Sequence, residues 1–308
     1  MEIHELDVTV LDDHYVYGLR DLRIKTDTWE RRGADSVLGF GGSRRTKAPL
    51  LINYMLNHPE IVEGKRVFEP FAGAGPYGLL AVCLEAAFCD LLDLNPRAVQ
   101  FMRDSVEMSG LDPSSCRIVE GDIGAFLPAA PYDIIFANPP FVPTPPSMEG
   151  VLHSNGGPDG CGATRLLFSK FDGLLKPEGR AFVWSLQIEG EAGPVLADDL
   201  VRAAPGRPVE MMETTDCHID FDRLTGCLIA AEPTRMESIL EWRDGLMANH
   251  GPGLTLNWYL IHIGPESSAV KGLSVTGYDA ERYGEAYAPE PMNHLKRIQR
   301  LVDLEILR

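Results

Sequence analysis

The sequence predicts an α/β protein built on a doubly wound parallel sheet of seven strands, with a small strand-rich cap at its amino-terminal end. From residue 65 onward, apolar runs of strand length alternate with segments of helix length, and Pro or Gly stands at several of the junctions. The run Asp133-Ile134-Ile135-Phe136-Ala137 is apolar enough for a strand buried on both faces, and it stops abruptly at Asn138-Pro139-Pro140-Phe141.

Short alternating segments around Val8-Thr9-Val10, Tyr15-Val16-Tyr17 and Leu22-Arg23-Ile24-Lys25 read as small strands or a hairpin. Residues 38–47 form a glycine-rich basic connector containing Arg44-Arg45-Thr46-Lys47, either a cover for the core or a solvated face. A helix over residues 48–56 ends before His58-Pro59. Val67-Phe68-Glu69 is the first core strand, a helix follows Pro76 to about residue 87, and residues 89–93 are the second strand. Asn95 caps the next helix with Pro96 in its first turn, and Gly110 ends it. Residues 117–120, 133–137 and 181–186 are the third to fifth strands, with a helix over 164–175 before the fifth. Helices near 192–203 and 235–248 and strands near 209–214 and 254–263 complete the sheet. A terminal helix is expected near 292–306. The division expected is a cap with its connector (1–47), a core domain (48–264) and a carboxyl-terminal extension (265–308).

Composition narrows the function. With 28 Lys+Arg against 45 Asp+Glu the chain carries −17, which disfavours non-specific attraction to phosphate backbones. Six dispersed cysteines without a CxxC pair, no apparent signal peptide and no membrane-length apolar run lead us to expect reduced thiols in the cytoplasm. The oligomeric state is left open.

The corner at Asn138 carries the chemistry. Two prolines donate no N–H and fix φ, so the carbonyls of Asn138 and Pro139 are left as acceptors at a strand's carboxyl end. An amide oxygen, a fixed carbonyl and the ring of Phe141 suit a planar N–H group. Upstream, Glu69-Pro70-Phe71-Ala72-Gly73-Ala74-Gly75 is a tight glycine turn between strand and helix. Gly78 keeps a dinucleotide site in competition on spacing alone. Roughly 20 residues on, Asp93 ends the second strand, where a carboxylate can accept from ribose hydroxyls.

The corner matches the Asn/Asp/Ser-Pro-Pro-Tyr/Phe motif of class I S-adenosylmethionine-dependent methyltransferases acting on nitrogen. Phe71-x-Gly73-x-Gly75 resembles motif I of the same group, and Gly156-Gly157-Pro158-Asp159-Gly160 most resembles its HemK-type glutamine methyltransferases. The resemblance spans roughly residues 66–187 and implies a Rossmann-like fold, its last strand antiparallel, with S-adenosyl-L-methionine as cofactor. It implies a cofactor site at Glu69, Pro70, Phe71, Gly73, Gly75, Asp93 with Leu94 and Asn95, Asp122 beside the adenine amino group, Ile123 against the base, and Asn138. It also implies that Asn138, Pro139, Pro140 and Phe141 carry the transfer.

Several substrate classes fit. A small nitrogen-bearing molecule, such as a biosynthetic heterocycle, is the expectation, since residues 1–47 are too short and strand-like for the helical module of the HemK type. A protein glutamine is the alternative, then an RNA or DNA adenine, then a cofactor-binding subunit without activity. Residues 142–160 are long enough for a lid or a plain surface loop. Residues 216–222 resemble a metal or acid/base cluster without recognised ligand spacing. Tyr15, Tyr17, Trp29 and Trp184 are either pocket aromatics or core.

Overall fold

Alternation at the start of the chain closes into a three-stranded antiparallel sheet: β1 (Asp7–Leu11), β2 (His14–Leu19) and β3 (Leu22–Asp27). The structure, a computed structural model, describes residues 7–28, 31, 33–38, 47–214, 218–267 and 272–283, with Ile298 and Val302. Trp29, residues 39–46, Asp216, Cys217 and nearly all of the expected terminal helix lie outside the described residues.

The core runs α1 (Lys47–Asn57), β4 (Arg66–Pro70), α2 (Pro76–Cys83), β5 (Phe88–Asp93), α3 (Pro96–Met108), β6 (Cys116–Glu120) and β7 (Tyr132–Ala137). After a long connection come α4 (Gly162–Phe168), α5 (Phe171–Leu174), β8 (Leu175–Gly190), β9 (Gly193–Pro194), α6 (Ala197–Ala203) and β10 (Pro208–Glu213). The chain continues with β11 (Ile219–Asp220), α7 (Phe221–Ala231), α8 (Met236–His250), β12 (Thr255–Ile263), β13 (Gly272–Thr276) and α9 (Ala280–Tyr283).

The main sheet has the order β13-β10-β12-β8-β7-β4-β5-β6, with β9 and β11 added beside β8 and β12. β12 runs antiparallel between β8 and β10, as the resemblance implies. The sheet is wider than seven strands because β13 extends its edge parallel to β10. Gly-Leu-Ser-Val-Thr there has the period-2 pattern of a strand. Apolar clusters cover both faces of the sheet, one with α1, α2 and α3, the other with α4, α5 and α6. No described helix is long and apolar enough to cross a membrane.

Four boundaries differ from expectation. α2 stops at Cys83 because Glu85 turns into left-handed backbone (φ 65°). The helix expected over 164–175 is two short ones, and β8 begins at Leu175. α6 starts only at Ala197, since residues 193–194 pair back onto β8. α7 begins at the end of the stretch resembling a metal cluster: Asp220 is its N-cap, accepting from the Arg223 amide at 2.9 Å, and His218 pairs with Glu213 at 2.6 Å. The end of that stretch, from Asp220 to Asp222, is thus a helix start, and no metal-holding group occurs among the described residues.

The small sheet docks onto α3. Tyr17, Leu22 and Ile24 are fully buried in the main cluster, and the backbone amides of Arg23 and Lys25 donate to Ser109 and Ser105. Asp27, 2 % exposed, accepts both from Arg97 Nε, at 3.1 Å to each oxygen, and from the Val37 amide. Removing one partner of a buried pair leaves an uncompensated charge, and Arg31, 3.6 Å from Asp27, offsets only part of it. Arg97→Ala is expected to lower the unfolding free energy by about 3 kcal/mol, read by urea denaturation. A loss under about 1 kcal/mol would mean that the apolar face alone holds the cap.

Candidate active site

Strand order reverses between β4 and β7, where open α/β sheets bind ligands beyond the strands' carboxyl ends. Beyond β4 the chain turns through Phe71, Gly73 and Gly75, all with positive φ (55°, 54° and 72°), into α2. A phenylalanine in the left-handed region stores about 1–2 kcal/mol of strain. At Gly73 an added Cβ would meet nothing within 4 Å, so this turn faces open space. At Gly78 a Cβ would stand 2.7 Å from Cys89 Sγ, so only glycine lets α2 lie this close to β5.

Glu69, 2 % exposed, anchors the turn from behind. Its carboxyl accepts from the amides of Gly78 at 2.6 Å and Tyr77 at 3.3 Å, in the first turn of α2. Burial pushes this carboxyl up to about 8, against the pull of those two amides. The pKa in the fold lies above the ordinary 4.5, so the stability Glu69 contributes is full below that value and is lost as pH rises through about 8. Glu69→Gln should therefore flatten the decline of melting temperature between about pH 5 and about pH 8. An unchanged slope would assign the decline to other groups.

Asp93, at the end of β5, sits across the turn. Its Oδ2 accepts from the Gly73 amide at 2.7 Å and its Oδ1 from the Asn95 amide at 2.8 Å. Burial raises the pKa of its carboxyl, while these amides and the charge of His153 pull the other way. Asn95 is committed to the fold, since its side chain accepts from the Arg97 amide and donates to the Asp35 carbonyl. Leu94 is 52 % exposed beside it. Asp122, exposed after β6, accepts from the Gly124 amide, and Ile123 is buried in the second cluster. Pro70 is the buried last residue of β4.

At the end of β7, Asn138 is exposed, and its side chain makes no hydrogen bond among the described residues. No described amide donates to the Pro139 carbonyl. The ring of Phe141 is buried, edge-on to Trp258 at 5.1 Å, rather than standing open for stacking. Pro140 bridges the two and is partly buried.

The connection after the corner is tied down. The Val142 amide donates to Ser154 and that of Gly156 back to Val142, Thr144 bonds to Gly157, and Trp242 Nε1 donates to Pro158 at 2.8 Å. At Gly160 a Cβ would lie 2.5 Å from the Phe141 carbonyl, so the glycine-rich stretch packs its backbone against the corner. This path brings His153 close enough to Asp93 for their charges to interact. Nothing local in the sequence marks that proximity. Trp184, fully buried, donates to the Tyr77 hydroxyl at 3.0 Å, and Tyr17 is equally buried, so both are core.

The profile of a family described as Conserved hypothetical protein 95 matches residues 50–149. The release factor glutamine methyltransferase of Deinococcus radiodurans is 29% identical over 165 residues, 51% of this chain and 57% of its own length. The ribosomal protein uL3 glutamine methyltransferase of Bradyrhizobium diazoefficiens is 30% identical over 171 residues, 53% of this chain and 50% of its own. These relatives are methyltransferases. The chain spans about half the length of the curated relatives it matches. Among solved structures, Trm5b from Pyrococcus abyssi aligns with a TM-score of 0.45 at 13% identity, covering 84% of this chain and 63% of its own.

Proposed function

We propose that the chain is an S-adenosylmethionine-dependent N-methyltransferase whose acceptor is the side-chain amide of a protein glutamine. The observation that carries this reading is the exposed, unengaged amide of Asn138, fixed by two prolines beside the Gly73 and Asp93 turn at the sheet's switch point. The glutamine-modifying relatives favour a protein acceptor over the small molecule expected from the cap.

The cradle fits the cofactor: Gly73 faces open space, and Asp93 offers further lone pairs on oxygens that each hold one amide. Asp93 would accept from the ribose hydroxyls, Asp122 from the adenine amino group, and the Phe71–Gly75 turn would line the amino-acid end. When bound, S-adenosylmethionine supplies a methyl group on a sulfonium. Asn138 Oδ1 and the Pro139 carbonyl would accept from the acceptor's N–H groups and hold its nitrogen lone pair toward the methyl group to be transferred. The same two acceptors would stabilise the positive charge that develops on the nitrogen as it is methylated. The proton then leaves nitrogen for solvent, so no strong base is needed. Phe141 braces the corner against Trp258. As units we retain residues 1–47, 48–264 and 265–308.

The test is transfer of labelled methyl to glutamine-bearing release-factor protein, RNA and small nitrogen heterocycles in parallel. Label on glutamine of the protein alone is expected. Label only on the heterocycles would return the small-molecule reading, and label only on RNA would overturn both.

A further inference from the structure

Beyond β3 the cap closes a loop beside the Asp93 corner. The Asp27 amide donates to the Val37 carbonyl at 3.0 Å, and the Val37 amide returns to Asp27 Oδ2 at 2.8 Å, so the two residues pinch the chain between them. The tip of this loop touches the core: the Asp35 carbonyl accepts from Asn95 Nδ2 at 2.8 Å. The Asn95 backbone amide in turn donates to Asp93 Oδ1 at 2.8 Å, and its side-chain oxygen accepts from the Arg97 amide at 3.0 Å. One hydrogen bond thus joins the loop to Asn95, and a second joins Asn95 to the carboxylate read as the ribose acceptor.

Arg31 holds the tip in place. Its Nη2 donates to Asp35 Oδ1 at 2.8 Å and its Nη1 to Ser36 Oγ at 3.0 Å, while Nη1 also lies 3.6 Å from Asp27 Oδ2. Ser36, 1 % exposed, donates its amide to the Gly33 carbonyl. At Gly33 an added Cβ would stand 3.1 Å from Arg31 Nη1, so the guanidinium lies close against the loop's own backbone. A planar fork spans these groups, and the point charge of a lysine does not reproduce it.

The pinch is anchored as well. Asp27 accepts from Arg97, in the first turn of α3, the helix that starts just past the Asp93 corner. The junction of β5 and α3 therefore grips the loop twice, through Asn95 and through Arg97. A plain surface connection needs no such ties. A carboxylate that must meet a ligand within about 0.5 Å does need support from the groups behind it.

We propose that Arg31 is a positioning residue for S-adenosylmethionine: through Asp35 and Asn95 it fixes Asp93 for the ribose, which makes the cap part of the cofactor site. This inference rests on the reading of Asp93 as the ribose acceptor. The coupling is reciprocal, so cofactor held at Asp93 steadies the loop in return.

Calorimetry of the full chain with S-adenosylmethionine reads the affinity, and amide hydrogen exchange over residues 33–37 reads the loop. Arg31→Ala should weaken binding about tenfold, and Arg31→Lys by less. Lys25→Ala is the control. It breaks a different contact between cap and α3, the pair with Asp104 at 2.8 Å, and should leave the affinity unchanged. In the parent chain, saturating S-adenosylmethionine should slow exchange over residues 33–37 more than at the amides of Arg23 and Lys25, which are held by Ser109 and Ser105. A role in stability alone would not make the loop respond to cofactor. Arg31→Lys and the exchange measurement carry the test even where Arg31→Ala is unstable. Undiminished affinity in Arg31→Ala, an equal loss in Lys25→Ala, or exchange over 33–37 that ignores the cofactor would each overturn the proposal while the cofactor reading stands. No binding of S-adenosylmethionine by the parent chain would overturn both.

Discussion

Asn138→Ala is expected to lower the turnover number by about 10²-fold or more, with affinity for S-adenosylmethionine largely kept. The proposal makes the amide oxygen a fixed acceptor for the N–H of the attacking group, a contact that strengthens as positive charge develops on nitrogen. Nothing among the described residues depends on that side chain for a hydrogen bond, so its removal should leave the fold intact. Single-turnover kinetics with saturating cofactor separate this loss from a binding defect. A turnover number equal to wild type would remove Asn138 from the mechanism. Asn138→Asp, which keeps acceptor oxygens, should lose less.

The second large effect is at Asp93. Asp93→Ala is expected to weaken S-adenosylmethionine binding by about 100-fold, from two charge-assisted hydrogen bonds of about 1.5 kcal/mol each. This carboxylate also holds the amides of Gly73 and Asn95, so the substitution loosens the turn as well as the ribose contact. Asp93→Asn, which retains an acceptor for one amide, should fall between. Calorimetry on both variants checks the order. Equal affinities in Asp93→Ala and wild type would show that the ribose lies elsewhere.

Much of this geometry was legible before the structure because its signals are local. The apolar runs that became β4, β5, β6 and β7, the Asn95 cap with Pro96 behind it, and the stop at Asn138 each sit within a few residues of sequence. α7 was hidden because its capping Asp220 stands among residues of metal-site type, and β13 because its alternation covers only five residues. The setting of Phe141 was invisible for a different reason. Its ring packs on Trp258, far away in sequence, and only the antiparallel insertion of β12 brings the two together. The same holds for His153 near Asp93. Glu69 was read as a ligand contact from its place in the motif, but it is buried under the turn and fixes it through the amides of α2.

The central claim is that the Phe71–Gly75 turn and Asp93 form a site for S-adenosylmethionine. Titration calorimetry of the full chain with S-adenosylmethionine, and separately with NAD, tests it most directly. Saturable binding of S-adenosylmethionine, lost in Asp93→Ala, and no binding of NAD is the result expected. Binding of NAD without S-adenosylmethionine, or of neither, would contradict it.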